Sequence, residues 1–457
     1  MSKAKQLSPY VRFNKDLCTG CIDCVRICPT QALRMKTQKP VVMSNHCIGC
    51  GECIRICPDG AVRASTSKLD QLDTRDVSVA LVSPVLYSQF PGVMPEDVLL
   101  GLRQMGFHHA VDMSYFLEMF QCATEEYIAE NRRTGCSPWP LISPICPVVV
   151  RLIAYHFPSL LPNVLPVMRP VSLMTREVNR KISRIYHNQA YINQVYKNND
   201  KPFSLYYIVP CPTKIEPSRA SFMEEDPYKV KSLGFNDIYP ELIAQIENIT
   251  KGKISDLPQD CFDYSVDKHS LVWGLSGGEI AGMNIDRSLA VSGLKETISY
   301  LEKIEMGQFQ NMEYIEFRTC SEGCLGGILT TVDRYLAKRA VHNLVFKGDL
   351  KRRVSPDKLL ELYGQGWSLK KNDPEAMKKQ FGIKREALSL ETLSEIYRLM
   401  NVIDGKNCAA CGSPGCRAFA EDVIRGNASL EDCLELRARN KNQKNEDREN
   451  DSKGTCR

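Results

Sequence analysis

The sequence predicts an α/β protein. A central domain of mainly parallel sheets covered by helices is flanked by a small α+β module at the N-terminus and a small helical domain at the C-terminus. Three observations predict it. Apolar strand-like runs alternate with amphipathic helical segments over about 300 residues of the middle of the chain. Eight cysteines repeat one tight spacing near the N-terminus, and four more gather ahead of a charged C-terminal tail.

In the centre, Val79–Ser83 reads as a buried strand and Pro95–Met105 as an amphipathic helix ended by Gly106. Leu205–Val209 reads as a strand, and the helix Leu294–Glu302 leads into a strand over Tyr314–Phe317. Residues 78–385 are expected to form this central domain. Residues 386–434 are expected to be a helical cysteine domain, and the charged stretch 435–457 a disordered tail in which Cys456 is an ordinary thiol.

With 457 residues the chain can bury a large core and needs no disulfides to fold. Its 20 cysteines therefore point to metal chemistry in a reducing compartment, and the expected location is cytoplasmic. Met1–Tyr10 has no apolar core of a signal peptide, and no run approaches the roughly 18 apolar residues of a membrane span. A net charge of +5, from 59 basic and 54 acidic residues, makes no case for nucleic acid. No Ser-His-Asp set stands out, and Gly277-Gly278 lacks the spacing of a phosphate loop and reads as a turn.

Cys18, Cys21, Cys24 and Cys28 precede Pro29, and Cys47, Cys50, Cys53 and Cys57 precede Pro58. The pattern C-x-x-C-x-x-C-x-x-x-C-P places three thiolates on one [4Fe–4S] cube and sends the fourth to the cube of the other repeat. One cube is expected on Cys18, Cys21, Cys24 and Cys57, the other on Cys47, Cys50, Cys53 and Cys28. Scattered structural cysteines would not repeat in register. Residues 1–65 are thus read as a ferredoxin-like module, followed by a polar linker over 66–77.

Near the C-terminus Cys408, Cys411 and Cys416 surround Gly412 and Gly415, and Cys433 follows after a helical stretch. The glycines let backbone wrap closely around a ligand. A [4Fe–4S] cube is expected on these four, with structural zinc the rival. The segment resembles the small [4Fe–4S] domain fused to corrinoid and carbon-monoxide-pathway proteins.

The central cysteines follow strands. Cys146 ends Ile142-Ser-Pro-Ile-Cys, Cys211 ends Tyr207-Ile-Val-Pro-Cys, and Cys320 and Cys324 follow Tyr314-Ile-Glu-Phe-Arg-Thr. In an open parallel sheet, sites form beyond the carboxyl ends of the strands. Three distant strand ends could deliver four thiolates to one place. Taken singly, each is more often a small buried hydrophobe, the reading kept for Cys122, Cys136 and Cys261. His108 and His109 are expected to cap a helix end.

Over roughly residues 78–345 the chain resembles the catalytic domain of the [FeFe]-hydrogenase large subunit, whose motifs run T-S-C-C-P, M-P-C-x-x-K-x-x-E and E-x-M-A-C-x-x-G-C-x-x-G-G-G. The resemblance includes Phe157-Pro158 at the family's distance from Cys146. It implies a [4Fe–4S] cube on Cys146, Cys211, Cys320 and Cys324, the last also bridging to a two-iron subsite with carbonyl and cyanide ligands. Lys214 would donate a hydrogen bond to a cyanide. With the other three cubes this makes four [4Fe–4S] clusters.

The departures point to one branch. Ile145 stands where catalytic members carry a proton-passing thiol, and Pro217 where they carry a glutamate, although Glu216 is adjacent. Val209 replaces the methionine, and Arg318-Thr319 replace Met-Ala. Gly327-Ile328-Leu329 stand in place of the triple glycine. These features are similar to the sensory or regulatory hydrogenases. The resemblance implies slow, reversible H2 oxidation and proton reduction, with electrons passing through the accessory clusters. It also implies maturation enzymes for the two-iron subsite and a redox partner such as ferredoxin, or a signalling kinase or phosphatase in trans. Two alternatives stay open: a non-catalytic redox signalling protein, and a cluster scaffold or electron carrier without the two-iron subsite.

Overall fold

The computed structural model describes residues 10–43, 45–69, 77–187, 203–214, 230–253, 257, 260–262, 266, 268–347, 356–366, 368–369, 389–403 and 405–442. They fall into two compact units. The first joins Met1–Cys47, Gly51–Ala64 and Ile383–Arg457; the second joins Ile48–Cys50 to Ser65–Gly382.

In the first unit, strands β1 (Val11–Phe13), β2 (Leu33–Lys36), β3 (Lys39–Val42) and β4 (Val62–Ala64) form two antiparallel pairs, β1 with β4 and β2 with β3. Short helices Asp23–Arg26 and Glu52–Ile56 lie inside the two cysteine repeats. Each is preceded by a residue in the left-handed region, Ile22 at φ 65° and Gly51 at φ 80°. Glycine adopts that conformation freely, whereas a β-branched residue is strained there. Tyr10, Val11, Val25, Leu33, Val42 and Val62 make a small core on which Cys28, Cys47, Cys53 and Cys57 pack.

The C-terminal segment belongs to this unit and is tied to the ferredoxin-like module by specific bonds. Arg34 and Asp422, both nearly buried, meet at 2.5 Å, and Ser413 Oγ donates to the same carboxylate at 3.2 Å. Met35 N donates to Gly412 O at 2.7 Å. Gly412 has φ +84°, and a Cβ there would lie 2.1 Å from Met35 O, so the contact requires glycine. Arg26 Nη2 reaches Cys408 O at 2.9 Å. Helices Leu390–Ile403 and Cys416–Ile424 pack through Ile396, Ile403, Phe419 and Ala420, around Cys416 and Cys433. A further helical run covers 434–442, where the unstructured tail was expected to begin, and Cys456 lies outside the described residues.

The second unit is α/β. Strands β5 (Val77–Val82), β6 (His109–Asp112), β7 (Leu141–Ile142), β8 (Phe203–Val209), β9 (Val230–Gly234), β10 (Ser288–Ser292) and β11 (Tyr314–Arg318) pair only in parallel. They make two sheets, ordered β6-β5-β8-β9 and β10-β11-β7. The reading of one open sheet is corrected here: the strands that precede the central cysteines divide between two sheets. β5 is buried at all six positions, as expected of a strand covered on both faces.

Helices Pro95–Gln104 and Phe235–Thr250 cover the four-stranded sheet through Val98, Leu102, Leu242 and Ile246. Each such fully buried aliphatic side chain is worth about 1.5–3 kcal/mol. Their close approach depends on Gly101, where a Cβ would sit 2.8 Å from Leu242 Cδ1.

The histidine pair is also corrected. His109 opens β6, buried, and its Nδ1 lies 2.7 Å from Asp260 Oδ1, so it anchors a loop to a strand and caps no helix. Gly277 and Gly278 sit in a turn, with Gly277 at φ 79°. Among the described residues no helix is long and apolar enough to cross a membrane.

Candidate metal centres

In the first unit two cavities are lined by cysteines. Cys18, Cys21, Cys24 and Cys57 line one, with Phe13 and Met35. Burial, reinforced by the neighbouring thiols of Cys21, Cys18 and Cys57, pushes the Cys24 thiol up to about 11. Crowded thiolates repel one another, and bound iron would offset that repulsion.

Cys28 stands near Cys47. Burial raises its thiol, and Ala32 N donates to its sulfur at 3.2 Å. Cys50 falls in the short segment grouped with the second unit.

The other cavity is lined by Cys408, Cys411, Cys416 and Cys433, together with Ile403 and Phe419. Asn407 braces it twice: its Oδ1 accepts from Cys416 N at 2.8 Å, and its N–H donates to Cys416 Sγ at 3.3 Å.

In the second unit the four central cysteines follow strand ends. Cys146 comes after β7, opening helix Pro147–His156; Cys211 follows β8; Cys320 and Cys324 flank the turn after β11. Gly323 gives that turn its path. It has φ +70°, and a Cβ would come within 2.3 Å of Gly274 O. Burial pushes the Cys211 thiol up to about 11; Lys214 opposes the rise, and Cys324 and Cys146 add to it. Cys146 Sγ lies 3.7 Å from Thr319 Oγ1.

Lys214 Nζ lies 3.8 Å from Cys324 Sγ. Burial opposes its charge, but Cys324, Tyr207 and Cys211 outweigh burial and hold its pKa above the ordinary lysine value. A half-buried ammonium beside a thiolate suits a site that holds anionic groups. Lys214 and Ile145 line one cavity, partly open to solvent, with Met113, Arg169, Tyr207 and Trp273. Glu216 and Pro217 lie outside the described residues.

Sequence reading missed the ionic cluster behind this cavity. Arg318 Nη2 donates to Glu279 Oε2 at 2.7 Å, and its Nε lies 3.3 Å from Glu316 Oε1; all three side chains are at most 1% exposed. Tyr314 and Ser143 also donate to Glu279. Burial raises the Glu316 carboxyl, and Arg318 opposes the rise. In the sequence Arg318 is only a departure from a motif, and Glu279 only the residue that follows the Gly277-Gly278 turn. Arg169, Trp273 and Met113 had no motif to mark them.

Residues 76–226 match the family model of the iron-only hydrogenase large subunit, C-terminal domain. Residues 10–58 match the 4Fe–4S dicluster domain, and residues 403–434 an Fe–S cluster family. The comparison with curated proteins finds no match. Among solved structures, one variant of the [FeFe]-hydrogenase HydA1 from Chlamydomonas reinhardtii is 15% identical, with a TM-score of 0.41, covering 64% of this chain and 91% of that one. A second variant is 16% identical, with a TM-score of 0.42 and the same two coverages. By these family-model matches the chain carries a 4Fe–4S dicluster segment over residues 10–58, a segment of the iron-only hydrogenase large subunit, C-terminal domain, over residues 76–226, and an Fe–S cluster segment over residues 403–434.

Proposed function

We propose that the protein is a slow, sensory-type [FeFe]-hydrogenase-like protein of the cytoplasm. Cys146, Cys211, Cys320 and Cys324 hold a cube, Cys324 bridges to a two-iron subsite, and Lys214 anchors a cyanide of that subsite. The other twelve motif cysteines hold three further [4Fe–4S] clusters. A bound two-iron subsite supplies heterolytic cleavage of dihydrogen. The protein's own part is to fix, dry and charge the cavity.

The observation that carries the reading is one cavity wall. Lys214 supplies a half-buried cation 3.8 Å from Cys324 Sγ, while Ile145, only 6% exposed, lines the same cavity. An isoleucine excludes water and carries no proton. The anchoring side chain is therefore kept while the fast proton path is lost, and a positioned proton carrier contributes typically about 10²–10⁴-fold. Slow turnover suits a protein whose occupancy is read by a partner, such as a kinase or phosphatase in trans.

Infrared spectroscopy of protein matured with the subsite-assembly enzymes tests this. Carbonyl and cyanide stretching bands with feeble hydrogen oxidation are expected, and their absence would favour a scaffold or electron carrier. Ile145→Cys should then raise turnover by up to about 10²-fold. An unchanged rate would mean that Ile145 does not set the limit.

A further inference from the structure

Arg318 closes β11 two residues before Cys320, and its side chain is 1% exposed. One edge of its guanidinium faces Glu279 and Glu316. Both carboxylates are fixed independently of it. Glu316 accepts from the backbone N–H groups of Gly277 at 3.2 Å, Glu279 at 3.2 Å and Ile280 at 3.4 Å. Glu279 is also held by the Tyr314 hydroxyl and by Ser143 Oγ at 3.0 Å.

Two of its nitrogens are left without a hydrogen bond. Nε and Nη1 are buried and have no hydrogen-bond partner among the described residues; Nε still lies 3.3 Å from Glu316 Oε1, whereas Nη1 faces no carboxylate in any ion pair. Arginine presents five N–H donors in a rigid fork, and a buried one left unmet is costly. The structure therefore carries a donor awaiting an acceptor that the described residues do not provide.

The surroundings say where that acceptor belongs. Arg318 Cζ lies 6.0 Å from the ring centroid of Trp273, which lines the cavity with Lys214 and Ile145. β11 also delivers Arg318 to the strand end from which Cys320 and Cys324 follow. Inorganic sulfide and iron-bound thiolate are acceptors, and hydrogen bonds to cluster sulfurs help set reduction potentials.

We propose that Arg318 is a positioning residue for the central cube: Nη1 donates a hydrogen bond to a sulfur of the core held by Cys146, Cys211, Cys320 and Cys324, and raises its reduction potential. The inference rests on the cube assigned above. A reduced cube carries one more negative charge, so a hydrogen bond donated to one of its sulfurs stabilises that form. Where related hydrogenases place a methionine, which has no N–H, this chain places a donor.

The test uses the full chain reconstituted with iron and sulfide alone, which builds cubes without the two-iron subsite. The central cube's paramagnetic signal is the one lost in Cys320→Ala. Protein labelled with 15N-arginine should show 15N hyperfine coupling to that signal, and Arg318→Met should abolish it. Arg318→Met should also shift the central midpoint potential downward, with the other clusters unmoved. Arg318→Lys should restore part of the shift.

Because Arg318→Met strands two buried carboxylates, the same titration is run with Glu279→Gln and Glu316→Gln added. A present cube signal without 15N coupling, or an unmoved midpoint in both variants, overturns the proposal and leaves the cube assignment standing. A chain with no signal dependent on Cys320 overturns both.

Discussion

The two units assemble cysteine sites in opposite ways. In the first, three of the four cysteines lining each cavity come from one short loop, so the site is written into contiguous sequence. In the second, the cysteines come from the ends of β7, β8 and β11, which belong to two sheets, and nothing local marks them. A loop site needs little more than its turn chemistry. A strand-end site needs the whole core, and it can be surrounded by side chains from many elements, as Lys214, Ile145 and Trp273 surround this one.

That difference predicts where each unit is vulnerable. The largest effect belongs to the join between the ferredoxin-like module and the C-terminal segment. Arg34→Ala would leave the Asp422 carboxylate buried beside Ser413 without its cation, at a cost of about 3–5 kcal/mol. Faster hydrogen exchange over 405–442 should report it, with exchange in β5 and β8 unchanged. Equal loosening of both units would erase the distinction.

A smaller effect is expected at the foot of the second unit's three-stranded sheet. Glu313, 2% exposed, takes bonds from Arg132 at 2.6 Å and 2.8 Å and from Arg287 at 2.7 Å. Its hydrogen bonds to Arg132 and then Arg287 outweigh burial and hold its carboxyl down at about 2, against an ordinary 4.5. A depressed carboxyl stabilises the fold above its unfolded pKa, and that contribution fades as pH falls from about 4.5 toward about 2. Glu313→Gln should cost about 2 kcal/mol at neutral pH, discounted because both arginines are partly exposed. It should also flatten the acid dependence of amide exchange in β11. An unchanged acid slope would contradict this.

The smallest effect sharpens the comparison inside the repeat. Ile22 and Gly51 hold equivalent left-handed positions, and only one of them is glycine. Ile22→Gly should relieve strain and stabilise the first loop by about 1 kcal/mol, less the entropy of an added glycine. Chemical denaturation of the reconstituted protein measures it. Destabilisation would mean that Ile22 contributes more by packing than it loses in backbone strain.

Legibility followed the same division. The repeat around Pro29 and Pro58 and the loop around Gly412 were readable because spacing alone constrains a loop. The parallel α/β order was readable from runs such as Val79–Ser83 and the helix ended by Gly106. That β7 and β11 lie in one sheet and β8 in another was not, because strand pairing across more than a hundred residues leaves no local trace. The Arg318–Glu279–Glu316 cluster was hidden for the same reason. Glu279 looked like the end of a glycine turn, and only the fold brings it under β11. His109 misled because a histidine after a helix-ending glycine resembles a cap, whereas its partner Asp260 is remote in sequence.

The central claim is that Cys146, Cys211, Cys320 and Cys324 surround a single inorganic core. Its most direct test is Mössbauer spectroscopy with iron counting on four single cysteine-to-alanine variants, each reconstituted with iron and sulfide. Each is expected to lose or alter the same one cube, about four iron atoms, while the remaining signals stay intact. Variants that alter different cubes, or that leave iron content and spectra unchanged, would contradict the account.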